Sequence, residues 1–311
     1  MSDKAVIFWI ALHLIMVSVE PIAAKLGFRH PMSAIDLHFT RCIIGAVLIY
    51  PITRSFEWIG MKHLLKVLLP TVGHFLRGFL FVWALMYIPA VVAVTILTLT
   101  PAMVAVANTK LFDRERVNGK FWLGFLISFY GVLLACGITS FKVHILGLGL
   151  ALAAVGSSVL YRIQMDTLTK RYSPQLISTY VFLLEGLFAL LFLTPFISGY
   201  SHQIGIFGGG IALSAIFANL SFLIVIQKIG STKASVIKMV QRPLAILAAA
   251  LILNESLSIA QCLGMLLVFA GTILAKSEIK RLKSHEQKPR SIPKFLEITL
   301  QPARVRVPSR R

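Results

Sequence analysis

The chain has 311 residues, 57% of them hydrophobic and 14% charged, with a formal net charge of +19. Soluble domains carry more charge than this, and apolar runs of about 20 residues, each long enough to cross a bilayer, recur along the chain. A soluble protein is excluded. The positive charges sit in loops and a tail between the apolar runs, which points to membrane topology and not to nucleic-acid binding.

Ten apolar segments are predicted, near 5–24, 34–52, 64–86, 91–112, 120–138, 145–164, 175–196, 205–226, 233–253 and 258–276. The first has a short basic start, but removing it as a signal peptide would leave nine spans and break a repeat. The repeat is visible in the residues. Pro101–Ala135 reads PAMVAVANTKLFDRERVNGKFWLGFLISFYGVLLA, and Pro243–Ala275 reads PLAILAAALILNESLSIAQCLGMLLVFAGTILA. Glu115 and Glu255, Gly124 and Gly264, Gly131 and Gly271, and Ala135 and Ala275 each lie 140 apart, and the two prolines 142 apart. The repeat unit is about half the chain, too long for a solenoid. It implies three units: a five-helix half over 1–138, a second over 139–276, and a basic tail over 277–311. The fold class is all-α, a polytopic membrane protein.

Counting Lys and Arg orients the chain. The N-terminus, the loops after segments 2, 4, 6 and 8, and the tail hold 24; the opposite face holds only Lys25, Arg29 and Lys142. Both termini are therefore predicted to be cytoplasmic. An odd number of spans per half sends the second copy in from the opposite face. The halves then form an inverted repeat, an architecture of secondary transporters with the substrate site near the midplane. The tail reads either as a solvated extension that reinforces orientation or as a contact for anionic lipid headgroups.

Four cations, Arg41, Arg77, Lys238 and Arg242, fall inside predicted spans. Each costs roughly 2.5–3.5 kcal/mol at a helix centre, so it faces a cavity or a partner. His74 and Arg77 share one helix face, as do Lys238 and Arg242. In the repeat alignment Arg77 falls opposite Asn219, and Arg242 opposite Thr100. Two readings stand. Glu20, Asp36 and Glu185 could neutralise the cations internally, as an Arg41–Glu185 or Arg242–Glu185 pair. Alternatively the surplus of cations, Arg77, Lys238 and Arg242 with His74, Asn219 and Tyr161, binds a substrate carboxylate or phosphate. Glu20 is either a proton-coupling carboxylate or a partner of Lys25. Arg162, at the end of segment 6, is expected to snorkel to the headgroups.

Pro101 and Pro243 are expected to kink segments 4 and 9. The glycines at 124, 131, 264 and 271 form a small-residue stripe for close helix packing. Cys42, Cys136 and Cys262 lie in apolar runs without metal-ligand spacing and read as packing residues. No cofactor or metal is expected.

Proline, then an acidic residue about a dozen positions on, then two glycines seven apart, occurs as Pro101–Glu115–Gly124–Gly131 and as Pro243–Glu255–Gly264–Gly271. Across residues 5–276 this resembles the EamA family of the drug/metabolite transporter superfamily. The resemblance implies two inverted five-helix repeats around a central cavity and secondary transport across a bacterial inner membrane or an organelle membrane. The expected partners are a small metabolite (amino acid, S-adenosylmethionine, nucleotide or sugar phosphate), membrane lipid, and a proton or counter-exchanged metabolite. Export of drugs or amphipathic lipids on the same fold is the alternative. An enzyme or ATP-driven pump is disfavoured by the lack of HExxH, GxSxG or P-loop motifs.

Overall fold

Lipid offers the backbone no hydrogen bonds, so the apolar segments fold as helices that satisfy their own. The computed structural model describes residues 3–110, 115–116, 118–135, 144–169, 171–199, 201–255, 257–277 and 280–281. Side chains at 3–6, 62, 101, 109–110, 115–116, 135, 166–167, 226–244, 276–277 and 280–281 are outside that description. Cys136 and all of the tail beyond residue 281 also lie outside the described residues.

Helix α1 covers Asp3–Gly27 and α2 Ala34–Thr53. A capping box starts α2: Asp36 N donates to Ser33 Oγ (3.1 Å) and Ser33 N to Asp36 Oδ2 (3.0 Å), satisfying two otherwise orphaned donors. Ser198 N donates to the other oxygen of Asp36 at 2.9 Å. Asp36 is thus committed to holding a helix end and a loop. This corrects its place among the expected counterions. Helix α3 spans Met61–Ala84.

The predicted fourth segment is two helices, α4 at Ala90–Leu97 and α5 at Thr100–Lys110. The break follows from Pro101, which has no N–H to give the Leu97 carbonyl. The Thr100 hydroxyl bonds that carbonyl instead, at 2.7 Å. All eight residues of α4 are buried, as expected of a helix apolar on every side. Its N-terminus is capped from the other half of the chain: Ala90 N and Val91 N donate to the two oxygens of Glu255 at 2.9 and 3.1 Å.

Helices α6 (Gly119–Ala135), α7 (Ile145–Leu168) and α8 (Pro174–Phe192) follow. Helix α9 runs from His202 to Leu253, 52 residues, where two spans and a loop are predicted. It is not straight. The Phe207 ring lies 5.7 Å from that of His30, and Arg29 donates to the Leu253 carbonyl at 3.5 Å. At a rise of 1.5 Å per residue a straight helix would hold Phe207 and Leu253 about 69 Å apart. Helix α9 therefore doubles back between Phe207 and Leu253, and its two arms take the places of the eighth and ninth spans. Helix α10 covers Ile259–Ser277. A two-residue antiparallel ladder pairs β1 (Glu115–Arg116) with β2 (Lys280–Arg281), which sets the loop after α5 and the start of the tail at the same end of the bundle.

Among the described residues, seven helices are long and apolar enough to span a bilayer, and Gly119–Leu134 and Ile259–Ala275 are shorter apolar helices. Together with the second arm of α9 they make up ten. Large apolar side chains such as Leu126, Tyr130, Leu263 and Leu266 are exposed, the surface that lipid covers.

The inward faces of α6 and α10 carry the glycine stripe. A Cβ on Gly124 would lie 2.5 Å from Ala275 N and 2.7 Å from Gly271 O; one on Gly131 would lie 2.6 Å from Gly264 O. No side chain fits where the backbones touch. The repeat maps Gly124 onto Gly264 and Gly131 onto Gly271, so the contact 124–271 is the image of 131–264. That is the signature of a local two-fold axis relating antiparallel helices. Helices α2 and α8 cross in the same antiparallel sense, with Gly45 on Phe182 and Gly186 on Ala46.

Candidate functional site

Six helices, α1, α2, α3, α7, α8 and α9, bring polar side chains to one place. Gly73 on α3 meets α7 closely: a Cβ there would sit 3.0 Å from both Ser157 O and Tyr161 N. One and four residues on from Gly73, His74 and Arg77 are thereby set beside Tyr161 and Arg162. The His74 and Tyr161 rings are 4.7 Å apart.

Two ion pairs form here, and they differ in kind. Arg41 on α2 donates to Glu185 on α8 at 3.4 Å, with both side chains 0% exposed. His74 Nδ1 reaches the other oxygen of Glu185 at 2.7 Å; because a carboxylate only accepts, Nδ1 carries the proton. Around this sealed pair, His38 and Cys42 are also buried. The second pair joins Arg77 to Glu20 on α1, with one guanidinium nitrogen 3.4 Å from each carboxylate oxygen. Its side chains are 21% and 13% exposed. This pair is partly exposed, and Arg77 Nε has no partner.

A neutral chain runs alongside. The Tyr161 hydroxyl donates to Asn219 Oδ1 on α9 at 3.0 Å, and the Asn219 amide donates to Ser178 Oγ on α8 at 3.0 Å. Three residues past Tyr161, Gln164 is 3% exposed and both of its amide atoms lack a partner. Buried polar atoms rarely stay unpaired in native structures, which makes Gln164 a candidate for a ligand contact.

Of the residues expected from sequence, His74, Arg77, Tyr161, Asn219, Glu20, Glu185 and Arg41 thus lie in one neighbourhood. Glu20 pairs with Arg77, which answers the alternative of a Glu20–Lys25 pair. The expected Arg41–Glu185 pair is present. Lys238, Arg242 and Pro243 lie on α9 where side chains are outside the described residues, as is the ring of Pro101. Three participants were missed. Arg162, expected at the headgroups, is half-buried on the stretch of α7 that meets Gly73, one turn from Arg77. Gln164 is three positions from Tyr161 and Ser178 seven from Glu185, spacings that share a helix face and could have found them.

A model of the EamA-like transporter family matches residues 4–137 and again 145–276. No curated protein matches the chain. Among 27 matching chains of solved structures, one crystal structure superposes with a TM-score of 0.61 at 14% identity, covering 89% of this chain and 99% of its own. Identity that low shows a shared fold alone. The family match runs twice through the chain and takes in nearly all of both halves: this integral membrane protein belongs to the EamA-like transporter family.

Proposed function

We propose that the protein is a secondary active transporter that moves a small anionic or zwitterionic metabolite by alternating access. Amino acids, S-adenosylmethionine and nucleotide or sugar-phosphate compounds are the classes to test first. The observation that carries this reading is the Arg77–Glu20 pair, partly exposed between the halves and with donors to spare. A cation at that depth is retained where it serves a pathway. His74, Tyr161 and Asn219 complete the described wall, and Lys238 and Arg242 are assigned to it from sequence. The positive-inside count supports cytoplasmic termini, and a bacterial inner membrane is the proposed location.

A thermal-shift screen of the purified protein against these compounds tests the reading, since a ligand stabilises the state it binds. Hits lost in Arg77→Gln and weakened in Tyr161→Phe are expected, with both variants showing the unliganded melting curve of wild type. Hits confined to cationic drugs or lipids would reassign the cavity to export of amphipathic compounds.

A further inference from the structure

Around His74 and Arg77 the described cations Arg41, Arg77 and Arg162 outnumber the described carboxylates Glu20 and Glu185. Among the described side chains, Glu185 is consumed by Arg41 and His74 in the sealed pair. Glu20 faces Arg77, and is also within range of Arg41 on α2 and His74 on α3. Helix α4 and residues 203–225 of α9 bring no ionisable residue. Arg162 on α7 follows Tyr161, whose backbone N meets Gly73 one turn from Arg77, and it makes no described hydrogen bond or ion pair with a carboxylate; the side chain of Asp166, four residues on, lies outside the described residues. A half-buried cation facing a second cation is unfavourable unless an anion comes between them. The backbone contact at Gly73 fixes the two helices closely, so neither guanidinium escapes by helix separation. Arg77 spends one nitrogen on Glu20 and keeps Nε free.

Resting on the reading of the cavity as an anion site, we propose that Arg77 and Arg162 form a two-guanidinium clamp for one oxyanion of the substrate, a carboxylate or a phosphoryl group. The Tyr161 hydroxyl lies on the same wall, and the amide of Gln164 offers an unused donor and acceptor. Glu20 acts as the clamp's built-in competitor: it holds Arg77 in the empty protein and weakens anion binding by its own charge. Planar guanidinium forks suit carboxylate and phosphate geometry, so a Lys at 162 keeps the charge and loses the fork.

The test uses purified full-length protein in phosphatidylcholine nanodiscs. Lactate and glycerol 3-phosphate are the probes, and lactamide and glycerol the uncharged controls. Binding is followed by thermal shift. One or both anions are expected to bind and the controls not. Arg162→Gln weakens that binding at least tenfold, Arg162→Lys weakens it less, and Glu20→Gln tightens it severalfold. The Glu20→Gln/Arg162→Gln double variant, which restores the net charge, lies between the singles. A structural role for Arg162 would not produce tightening in Glu20→Gln or its reversal in the double variant. If Arg77→Gln abolishes anion binding and Arg162→Gln leaves it unchanged, the clamp is wrong and the anion cavity stands. If neither anion binds wild type, both readings fall. A response only to discs containing phosphatidylglycerol would assign Arg162 to a lipid headgroup and overturn the clamp.

Discussion

Replacing Glu185 by Gln keeps the shape of the side chain and removes its charge. Arg41, 0% exposed and with Nε already unpartnered, would then be a buried cation without the carboxylate that pairs with it. The His74 bond at 2.7 Å can survive, because the Gln carbonyl still accepts from Nδ1. The loss is therefore concentrated in the Arg41 contact. Removing one partner of a buried pair costs about 3–5 kcal/mol, and the retained His74 bond places the expected value near the lower end, about 3 kcal/mol. At 1.4 kcal/mol per tenfold change, that is about a hundredfold shift in the folding equilibrium. The assay is reversible unfolding in mixed micelles by titration with a denaturing detergent. The Arg41→Met/Glu185→Gln double variant removes both charges and should recover most of the loss, giving a coupling energy of at least about 1.5 kcal/mol. Additive single effects, with coupling below about 0.5 kcal/mol, would refute the reasoning and show that the low-dielectric core does not hold this pair together.

Further outcomes follow from the same contacts. Glu20→Gln in the partly exposed pair should change stability by less than about 1 kcal/mol in the same titration, which separates the cavity pair from the sealed one. Gly271→Ala places a Cβ 2.5 Å from Gly124 O and 2.6 Å from Ser128 N. Backbone atoms cannot yield like a side-chain tip, so a loss of about 1–3 kcal/mol is expected. Glu255→Ala removes the acceptor of two α4 amides and should cost about 1–2 kcal/mol, with faster hydrogen exchange at Ala90 and Val91 as the local readout.

Much of the architecture is legible in the sequence because lipid makes each span declare itself as an apolar run. The repeat landmarks state the two-fold relation: glycines 140 apart in the chain turn out to be images of each other across one helix crossing, where Gly124 meets Gly271 and Gly131 meets Gly264. The site is legible in part. His74 and Arg77, three apart, share a face whatever they touch, whereas the Glu20–Arg77 pairing spans 57 positions and depends on helix order in space. Asp36 is readable as a cap from Ser33 three positions before it, although its charge alone suggests a counterion. Arg162 reads as a surface residue from its nearness to a segment end, and its half-burial beside the Gly73 contact depends on how α3 and α7 pack. The break before Pro101 follows from a missing N–H, but the hydroxyl of Thr100 that repairs it is a three-dimensional detail.

The two helix pairs that cross on the pseudo-two-fold axis, α2 with α8 and α6 with α10, have a property the others lack. If the halves exchange conformations to turn the cavity from one side to the other, a contact such as α1 on α9 must become its image, α7 on α3. A contact on the axis is its own image and has nothing to become. The glycine crossings can thus remain packed through a full cycle, as an axle stays seated while the parts around it rock. The tightest backbone contacts, those of Gly124, Gly131 and Gly271 between α6 and α10, are found at a crossing where rocking would leave them intact.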